Sequence, residues 1–134
     1  MVAAYINTVI VVDDDPSMCR ALNNQLTILG FKVIVFHSAE SLLAAHVVTT
    51  NACLLADIYL PGMTGAGLCR TLAAAGTPLP TILISGRDDQ PTRRMMHEAA
   101  PVASLFKPFD QKTLLRALRR AARKPAGKYS APRA

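Results

Sequence analysis

The sequence predicts an α/β fold in which helices cover both faces of one parallel β-sheet. Three observations support this. Strand-like and helix-like segments alternate five times, the strand-like segments are almost entirely apolar, and 134 residues with 51 % hydrophobic side chains suit one compact core. Strands buried on both faces are continuously apolar, because each face packs against helices. The pattern therefore indicates a doubly wound, five-stranded parallel sheet.

The five predicted strands are short apolar runs. They cover residues 8–12, 32–36, 52–57, 80–85 and 102–106. The first, TVIVV, is rich in β-branched residues, and the second, KVIVF, has the same character. The third, ACLLAD, ends on an acid, and the fourth, PTILIS, ends on a serine. The fifth, VASLF, has the weakest strand pattern.

Each predicted strand is followed by a predicted helix. The helices cover residues 17–30, 38–48, 65–76, 89–100 and 109–124. Pro16 precedes the first helix and Gly30 ends it, which is typical of these residues at helix ends. Ser38 begins the second with a partial capping pattern that includes Ser41. Gly76 ends the third, and the fourth has the weakest helical pattern.

Two of these helices show a clear apolar stripe. The predicted stripe of the first helix consists of Met18, Leu22, Leu26 and Leu29. The predicted stripe of the last helix consists of Leu114, Leu115, Leu118 and Ala122. Pro125 closes that helix, so we predict one domain over residues 6–124 and a flexible basic tail over residues 125–134.

The formal charge of +6 is unevenly distributed. Eight basic residues and no acid lie from residue 112 onward, whereas the preceding residues carry nine acids and seven bases. The simplest interpretation is a solvated helix face and tail, and affinity for nucleic acid or an acidic protein surface is the alternative. The three cysteines have no metal-binding spacing, and we predict that they are buried and reduced. With no membrane span and no signal peptide, the predicted location is the cytoplasm.

Acids and other reactive side chains fall at the ends of the predicted strands. The first strand ends in three aspartates, residues 13–15, and the third ends in Asp57. Ser85 ends the fourth strand and Lys107 follows the fifth. Ligands of open α/β sheets bind beyond the carboxyl ends of the strands, so these side chains are expected to meet. Asp15 is better explained as a charge at a helix N-terminus or as a solvated acid than as a ligand.

The residue types at this edge predict phosphoryl-transfer chemistry. Clustered carboxylates stay ionised only beside a cation, and two or three of them form a partial Mg²⁺ shell that water completes. A lysine ammonium and a serine hydroxyl add a positive charge and a donor that suit a phosphoryl group. Asp57 stands alone on a central strand, so it is the best candidate for a nucleophile that forms an aspartyl-phosphate.

Four motifs, taken in order, resemble those of response regulator receiver domains, the CheY-like family. Within that family the resemblance is closest to FixJ/NarL-type receivers. The motifs are VVDDDP, LLADIYLPGMTG, TILISG and FKPF, and the resemblance covers about residues 8–123. It implies a flavodoxin-like (βα)₅ fold with strand order 2-1-3-4-5. It also implies Mg²⁺-dependent phosphoryl transfer from a sensor histidine kinase or a phosphotransfer protein, followed by a change of the output surface.

The resemblance assigns roles to individual residues. Asp57 is the phosphoacceptor, Ser85 is the switch hydroxyl, and Lys107 pairs with the phosphoryl oxygens and precedes a cis proline. The metal is held directly by Asp14, through water by Asp13, and also by Asp57 and the backbone carbonyl of Tyr59. One departure concerns the family's switch aromatic, which lies three residues before the lysine, because Ser104 occupies that position here.

Alternatives to a signalling receiver remain open at this stage. A small aspartyl-phosphate phosphatase would use a similar sheet, although it would usually carry an acid at position 59, where this chain has tyrosine. A degenerate receiver would bind partners without being phosphorylated. The receiver interpretation implies that the chain is not an enzyme acting on other substrates. It also implies an unidentified output partner and a phosphorylation-dependent homodimer through the fourth helix, fifth strand and fifth helix. Nothing in the chain encodes a helix-turn-helix, so no sequence-specific DNA binding is expected.

Overall fold

Five strands and five helices alternate along the chain in the computed structural model, which describes residues 6–47 and 50–123. The strands are β1 (Thr8–Val12), β2 (Lys32–Phe36), β3 (Ala52–Asp57), β4 (Thr81–Ser85) and β5 (Ala103–Phe106). The helices are α1 (Pro16–Ile28), α2 (Ala39–Ala45), α3 (Gly65–Ala74), α4 (Gln90–Ala99) and α5 (Gln111–Arg123). The predicted order of elements is confirmed. The predicted tail and its proline lie outside the described residues.

All five strands are parallel and lie in the order β2-β1-β3-β4-β5. This is the predicted flavodoxin-like order. The register aligns the carboxyl ends of the strands, because Val12 pairs with Phe36 on one side and with Ala56 on the other. Asp57 pairs with Ile84 in the same way. Residues that end one strand therefore lie beside residues that end the next.

The sheet separates two apolar cores. Val9 and Val11 face the core that is covered by α1 and α5. Ile10 and Val12 face the core that is covered by α2, α3 and α4. Side chains of a strand alternate between the two faces of a sheet, so a strand with helices on both sides needs apolar residues at every position. This explains the continuous apolar runs in the sequence.

Polar side chains cap the helices at the predicted places. Asp15 accepts a hydrogen bond from the backbone N–H of Ser17 at the start of α1, which confirms its assignment to a helix N-terminus. Ser38 accepts from the N–H of Ser41 at the start of α2. Gly30 follows α1 with a φ angle of +98°, a left-handed conformation that favours glycine at helix ends.

The apolar face of α5 differs from the prediction. Its buried residues are Leu114, Ala117, Leu118 and Ala121, whereas Leu115 and Ala122 are only half-buried. Positions i, i+3, i+4 and i+7 lie on one side of a helix, and this spacing from Leu114 leads to the two alanines. The prediction was wrong at Leu115 and Ala122 because each lies one residue, about 100° around the helix, beyond a buried position, Leu114 and Ala121 respectively.

The cysteines bear out a simpler expectation. Cys19, Cys53 and Cys69 are buried free thiols. Burial raises the pKa of the Cys53 thiol to about 12, which keeps it protonated. No helix in the described part of the chain is long and apolar enough to cross a membrane.

Candidate functional site

Four side chains from four strand ends lie at one edge of the sheet. Asp13 follows β1, Asp57 ends β3, Ser85 ends β4 and Lys107 follows β5. Backbone hydrogen bonds continue just past the strands, from Asp13 N to the carbonyl of Phe36 and from Lys107 N to the carbonyl of Ser85. Asp13 and Lys107 are thus each tied by a backbone hydrogen bond to the end of a neighbouring strand.

Lys107 lies between the carboxylates of two buried aspartates. Its Nζ donates to Asp57 Oδ2 at 2.8 Å and to Asp13 Oδ2 at 3.1 Å. Asp13 is fully buried and Asp57 is 7 % exposed. Buried carboxylates are costly without a compensating cation, and the ammonium provides one. The peptide bond between Lys107 and Pro108 is cis, as predicted.

The remaining oxygens of the two aspartates are held by backbone N–H groups. Asp57 Oδ1 accepts from Tyr59 N at 2.8 Å, and Asp13 Oδ1 accepts from Asp15 N at 2.9 Å. Each carboxylate therefore has one oxygen on a backbone donor and the other on Lys107. This arrangement fixes the orientation of both side chains before any ligand binds.

The electrostatics of the site follow from burial and charge pairing. Burial raises the pKa of Asp13, and the N–H of Asp15 and the ammonium of Lys107 offset part of this increase. Burial by itself would lower the pKa of Lys107, but the hydrogen bonds and the attraction of Asp57 and Asp13 outweigh it and raise this pKa. Lys107 is therefore a cation at physiological pH.

Ser85 and Asp14, the other predicted site side chains, form no hydrogen bond with Lys107 in the described part of the chain. Ser85 is fully buried, and its Oγ accepts from the backbone N–H of Arg87 at 2.9 Å. Asp14 is exposed, and no hydrogen bond or ion pair joins its side chain to another described residue. Ser104, at the position of the expected switch aromatic, is also exposed.

The donor set at this edge suits a hard divalent cation. In the described part of the chain, no group of three or more His, Cys, Asp or Glu side chains is arranged to hold a metal ion. Mg²⁺ does not require such a group, because it usually binds one or two carboxylates and keeps several waters. Asp13 and Asp57 already direct two carboxylate oxygens at one cation, the Lys107 ammonium. Their chemistry and placement therefore fit Mg²⁺.

A ring of contacts beside Asp57 was not predicted. Thr92 Oγ1 donates to Asp89 Oδ1 at 2.5 Å, so Tyr59 Oη, also 2.5 Å from Thr92 Oγ1, is the donor to the threonine. Arg87 completes this set of contacts. Its guanidinium lies 2.7 Å from Asp89 Oδ2 and 4.8 Å from the centre of the phenol group of Tyr59. We call these four residues the Tyr59 ring.

The Tyr59 ring joins the loop after Asp57 to the start of α4. Asp89 is the N-cap of α4 and also accepts from the backbone N–H of Thr92. These bonds, together with the guanidinium of Arg87, lower the pKa of Asp89 to about 2. The capping pattern of Asp89 and Thr92 was visible in the sequence, but the partner Tyr59 is 33 residues away from Thr92 and carried no such signal.

Comparison with known families and proteins gives a consistent result. The family model of the response regulator receiver domain matches residues 9–119. Nodulation protein W of Bradyrhizobium diazoefficiens is 36 % identical over 110 residues, which are 82 % of this chain and 48 % of that protein. The transcriptional regulatory protein FixJ of Rhizobium meliloti is 34 % identical over 114 residues, 85 % of this chain and 56 % of FixJ. The chain thus spans about half the length of the curated relatives it matches.

Solved structures show the same fold. The crystal structure of FixJ-N has a TM-score of 0.77 at 34 % identity, with 86 % of this chain and 92 % of that chain covered. The structure of the response regulator StyR also has a TM-score of 0.77 at 34 % identity, with 86 % and 58 % covered. The BeF₃-activated DrrB receiver domain, at 24 % identity and a TM-score of 0.76, covers 89 % of this chain and 99 % of that chain and shares its fold.

Proposed function

Since the chain belongs to the response regulator receiver family of two-component signal transduction, we propose that Asp57 receives a phosphoryl group from a sensor histidine kinase or a phosphotransfer protein. The observation that carries this assignment is the position of the Asp57 carboxylate. One of its oxygens is held by a backbone N–H and the other by the ammonium of Lys107. A fixed carboxylate beside a cation is a nucleophile suited to an anionic phosphoryl donor.

In the proposed reaction, a carboxylate oxygen of Asp57 attacks phosphorus as the phosphorus–nitrogen bond of a phosphohistidine breaks. The electron pair of that bond leaves with the imidazole, so the histidine is regenerated. Lys107 then shifts its hydrogen bonds to the phosphoryl oxygens. Ser85 Oγ already accepts from Arg87 N, so its own proton remains available for a hydrogen bond to the phosphoryl group.

We assign the Mg²⁺ of this reaction to Asp13, Asp14, Asp57 and the backbone carbonyl of Tyr59. The buried pair of Asp13 and Asp57 supports this assignment, because two carboxylates at one edge of the sheet provide the hard oxygen ligands that Mg²⁺ prefers. When bound, Mg²⁺ neutralises charge that develops on the transferring phosphoryl group.

The contacts of Tyr59 favour a signalling module over the phosphatase alternative. An aspartyl-phosphate phosphatase needs an acid/base group beside the nucleophile to activate water. Here the side chain at position 59 is a tyrosine whose hydroxyl donates to Thr92. We therefore propose that the chain is not a turnover enzyme and catalyses only its own phosphorylation and dephosphorylation. The paired Asp13, Asp57 and Lys107 likewise favour a phosphorylated receiver over a degenerate one.

The family indicates the class of each partner protein and does not identify the individual partner. We propose that a kinase or phosphotransfer protein donates the phosphoryl group and that the chain is located in the cytoplasm. We also propose an output partner that binds a surface outside the phosphorylation site. The relative FixJ is a transcriptional regulatory protein. For this chain we propose no direct reading of DNA sequence, because none of its described helices follows a helix-turn-helix arrangement.

The test of this function is intact mass after incubation with Mg²⁺ and acetyl phosphate or phosphoramidate. The parent chain is expected to gain one phosphoryl group, and Asp57→Asn is expected to gain none. Repeating the incubation with a chelator separates Mg²⁺-dependent transfer from chemical modification at other sites. An adduct that persists in Asp57→Asn would place the chemistry elsewhere. Continuous release of phosphate without an adduct would support the phosphatase alternative.

A further inference from the structure

A thiol, an imidazole and a backbone carbonyl converge at the turn that follows β1. Cys19 Sγ lies 3.2 Å from the carbonyl oxygen of Asp13 and 3.7 Å from His37 Nδ1. His37 Nδ1 lies 3.3 Å from the same carbonyl oxygen. These three atoms form a compact triangle, which we call the Cys19 triangle. Its members come from three places in the fold, because Asp13 follows β1, Cys19 lies on α1 and His37 follows β2.

Hydrogen bonds account for two sides of this triangle. The thiol donates to the carbonyl of Asp13, and an N–H at the imidazole Nδ1 can donate to it as well. When both groups donate to the carbonyl, no hydrogen bond joins the sulfur to the nitrogen. The other two cysteines have different partners, because Cys53 donates to the carbonyl of Leu54 and Cys69 to the hydroxyl of Thr81. The side-by-side sulfur and nitrogen are therefore particular to the first cysteine.

The size of the Cys19 triangle matches the spacing of ligands around a tetrahedral metal ion. Zn²⁺ binds sulfur at about 2.3 Å and nitrogen or oxygen at about 2.0–2.2 Å, so its ligands lie roughly 3.3–3.7 Å apart. The measured sides of 3.2, 3.3 and 3.7 Å agree with this range to within about 0.1 Å. Thiolate and imidazole are ligands that suit Zn²⁺, whereas Mg²⁺ prefers oxygen. An ion of the zinc type can thus join the three donors with little movement of the chain.

A cleft beside the triangle leaves room for a fourth ligand. Its volume is about 210 Å³, and it is lined by Pro16, Cys19, Arg20, Asn23, Val35 and His37. Zinc sites with three protein ligands keep the fourth position for water or another small ligand, and a water needs about 30 Å³. His37 is exposed and Cys19 is buried, so an ion can enter from solvent and reach a shielded sulfur. Arg20, the basic side chain at the mouth, donates to the hydroxyl of Ser17.

The charges around Cys19 favour a cation. Burial raises the pKa of the Cys19 thiol, and the carboxylates of Asp13 and Asp15 raise it further, whereas Lys107 acts in the opposite direction. The negative charge that disfavours a free thiolate attracts a metal ion, and a bound ion displaces the thiol proton. The thiol is therefore protonated until a metal ion replaces the proton.

We propose that the Cys19 triangle binds a thiophilic divalent metal ion of the Zn²⁺ type through Cys19 Sγ, His37 Nδ1 and the carbonyl oxygen of Asp13. Binding forms three metal–ligand bonds and releases the thiol proton to water, and the imidazole stays neutral with its proton on Nε2. The third donor is a backbone carbonyl, so the site needs only two ligating side chains. It uses the carbonyl of Asp13 and not the carboxylate, and it therefore does not depend on phosphorylation of Asp57.

The test uses Co²⁺ as a visible substitute for Zn²⁺, added to the full chain in excess Mg²⁺, which competes for the carboxylates. A thiolate bound to Co²⁺ gives a charge-transfer band in the near ultraviolet, and Zn²⁺ that displaces the cobalt removes this band. Zn²⁺ affinity is measured by competition with a chromophoric chelator. Cys19→Ser and His37→Gln are the main variants, and Cys69→Ser and His97→Gln are their matched controls. Asp57→Asn reports whether the ion lies at the carboxylates instead.

The parent chain and the three control variants should each bind one cobalt ion with the thiolate band, whereas Cys19→Ser should lack it. We expect His37→Gln to weaken Zn²⁺ binding by about tenfold or more, because losing even a group that supports a ligand commonly costs that much. His37 is exposed, so this variant carries the test if Cys19→Ser fails to fold. A parent chain without the band, a band that persists in Cys19→Ser, or equal Zn²⁺ affinity in His37→Gln and His97→Gln would each overturn the proposal. Loss of the cobalt ion in Asp57→Asn would overturn it too, because the metal would then lie at the carboxylates.

Discussion

Lys107 Nζ lies 2.8 Å from Asp57 Oδ2, although the two residues are 50 positions apart in the chain. The same ammonium is 3.1 Å from Asp13 Oδ2. One lysine thus pairs with two buried carboxylates. The attraction among the three charged groups offsets the free-energy cost of burying them. The site is held together by the groups that the proposed reaction uses.

Replacing Lys107 with alanine should destabilise the fold, because it leaves two buried carboxylates without their cation. We expect the free energy of unfolding in Mg²⁺-free buffer at neutral pH to fall by roughly 2–4 kcal/mol. Adding Mg²⁺ should restore part of the loss, since an ion that binds only the folded state stabilises it. Urea denaturation with and without Mg²⁺ measures both effects.

The matched control for this prediction is Lys32→Ala, at an exposed position on β2. Its unfolding free energy should stay within about 0.5 kcal/mol of the parent. A Lys107→Ala chain as stable as this control would show that the two carboxylates do not need the ammonium.

Gly65→Ala should damage both the fold and the site. A Cβ atom at this position would lie 2.6 Å from the carbonyl oxygen of Asp57 and 3.0 Å from the Cα of Ile58. Both are backbone atoms, so relief requires a movement of the chain at Asp57, the proposed phosphoacceptor. We expect a loss of about 1–3 kcal/mol in unfolding free energy and slower phosphoryl transfer, measured by urea denaturation and by timed intact mass.

Gly67→Ala, two residues further along α3, is the control for that substitution. Its Cβ would meet only side-chain atoms, of Met63 at 3.2 Å and Thr64 at 3.3 Å. The flexible Met63 side chain can adjust, whereas Thr64 Oγ1 is the N-cap acceptor for the N–H of residue 67 and keeps its place. Alanine is also the better helix former by up to about 1 kcal/mol. Gly67→Ala should therefore be neutral or slightly stabilising, and a loss as large as that of Gly65→Ala would contradict the clash at Asp57.

Tyr59→Ala should shorten the lifetime of the proposed aspartyl-phosphate. The tyrosine belongs to the Tyr59 ring and is half-buried beside Asp57, so its removal opens a path for water. We expect hydrolysis to accelerate by about threefold to tenfold, which corresponds to a barrier lowered by about 1 kcal/mol. Decay of the phosphoryl adduct in intact mass measures this rate.

Tyr59→Phe separates the bulk of the ring from its hydroxyl. It keeps the aromatic ring beneath Arg87 and removes only the hydrogen bond to Thr92. If shielding by bulk protects the adduct, the phenylalanine variant should stay near the parent rate. If the phosphoryl adduct of Tyr59→Ala lasts as long as that of the parent chain, shielding by this residue is ruled out.

Asp89 should make stability depend on pH in the acid range. Hydrogen bonds from Thr92 and the guanidinium of Arg87 hold its pKa at about 2, below the ordinary 3.8. Its contribution is therefore fully present above pH 3.8 and is lost as the pH falls toward about 2. Asp89→Asn keeps a capping side chain but has no charge to titrate.

Urea denaturation of the parent and of Asp89→Asn at stepped pH checks this prediction. The parent should be the more stable of the two near neutral pH, and the difference should shrink across the window from 3.8 to about 2. A difference that stays constant through that window would mean that the Asp89 charge does not stabilise the start of α4.

The strands were the most predictable part of the fold. The predicted bounds of β1, β2 and β3 match the structure, because short uninterrupted apolar runs between turn residues are typical of strands buried on both faces. In α5, by contrast, the buried positions include Ala117 and Ala121, which are too small to stand out in a hydrophobic pattern. Helix spacing identifies them once Leu114 is taken as the starting point.

The site was predictable as far as the strand ends determine it. Asp13, Asp57, Ser85 and Lys107 could be placed together because parallel strands finish at a common edge. The shared use of Lys107 by both aspartates could not be predicted, because it depends on side-chain conformation. The Tyr59 ring escaped prediction for a similar reason, since it joins two loops through contacts that no local pattern encodes.

The position of Lys107 after the final strand also has a consequence for the making of the protein. A ribosome releases the segments that carry Asp13 and Asp57 well before the one that carries their counter-ion. An unfinished copy therefore has both acids but not the sheet edge that joins them to the lysine. If Asp57 is the phosphoacceptor as proposed, we expect competence to receive a phosphoryl group to arise late in synthesis, together with the completed sheet. Fragments that end before β5 would accordingly not compete with full-length molecules for the phosphoryl donor.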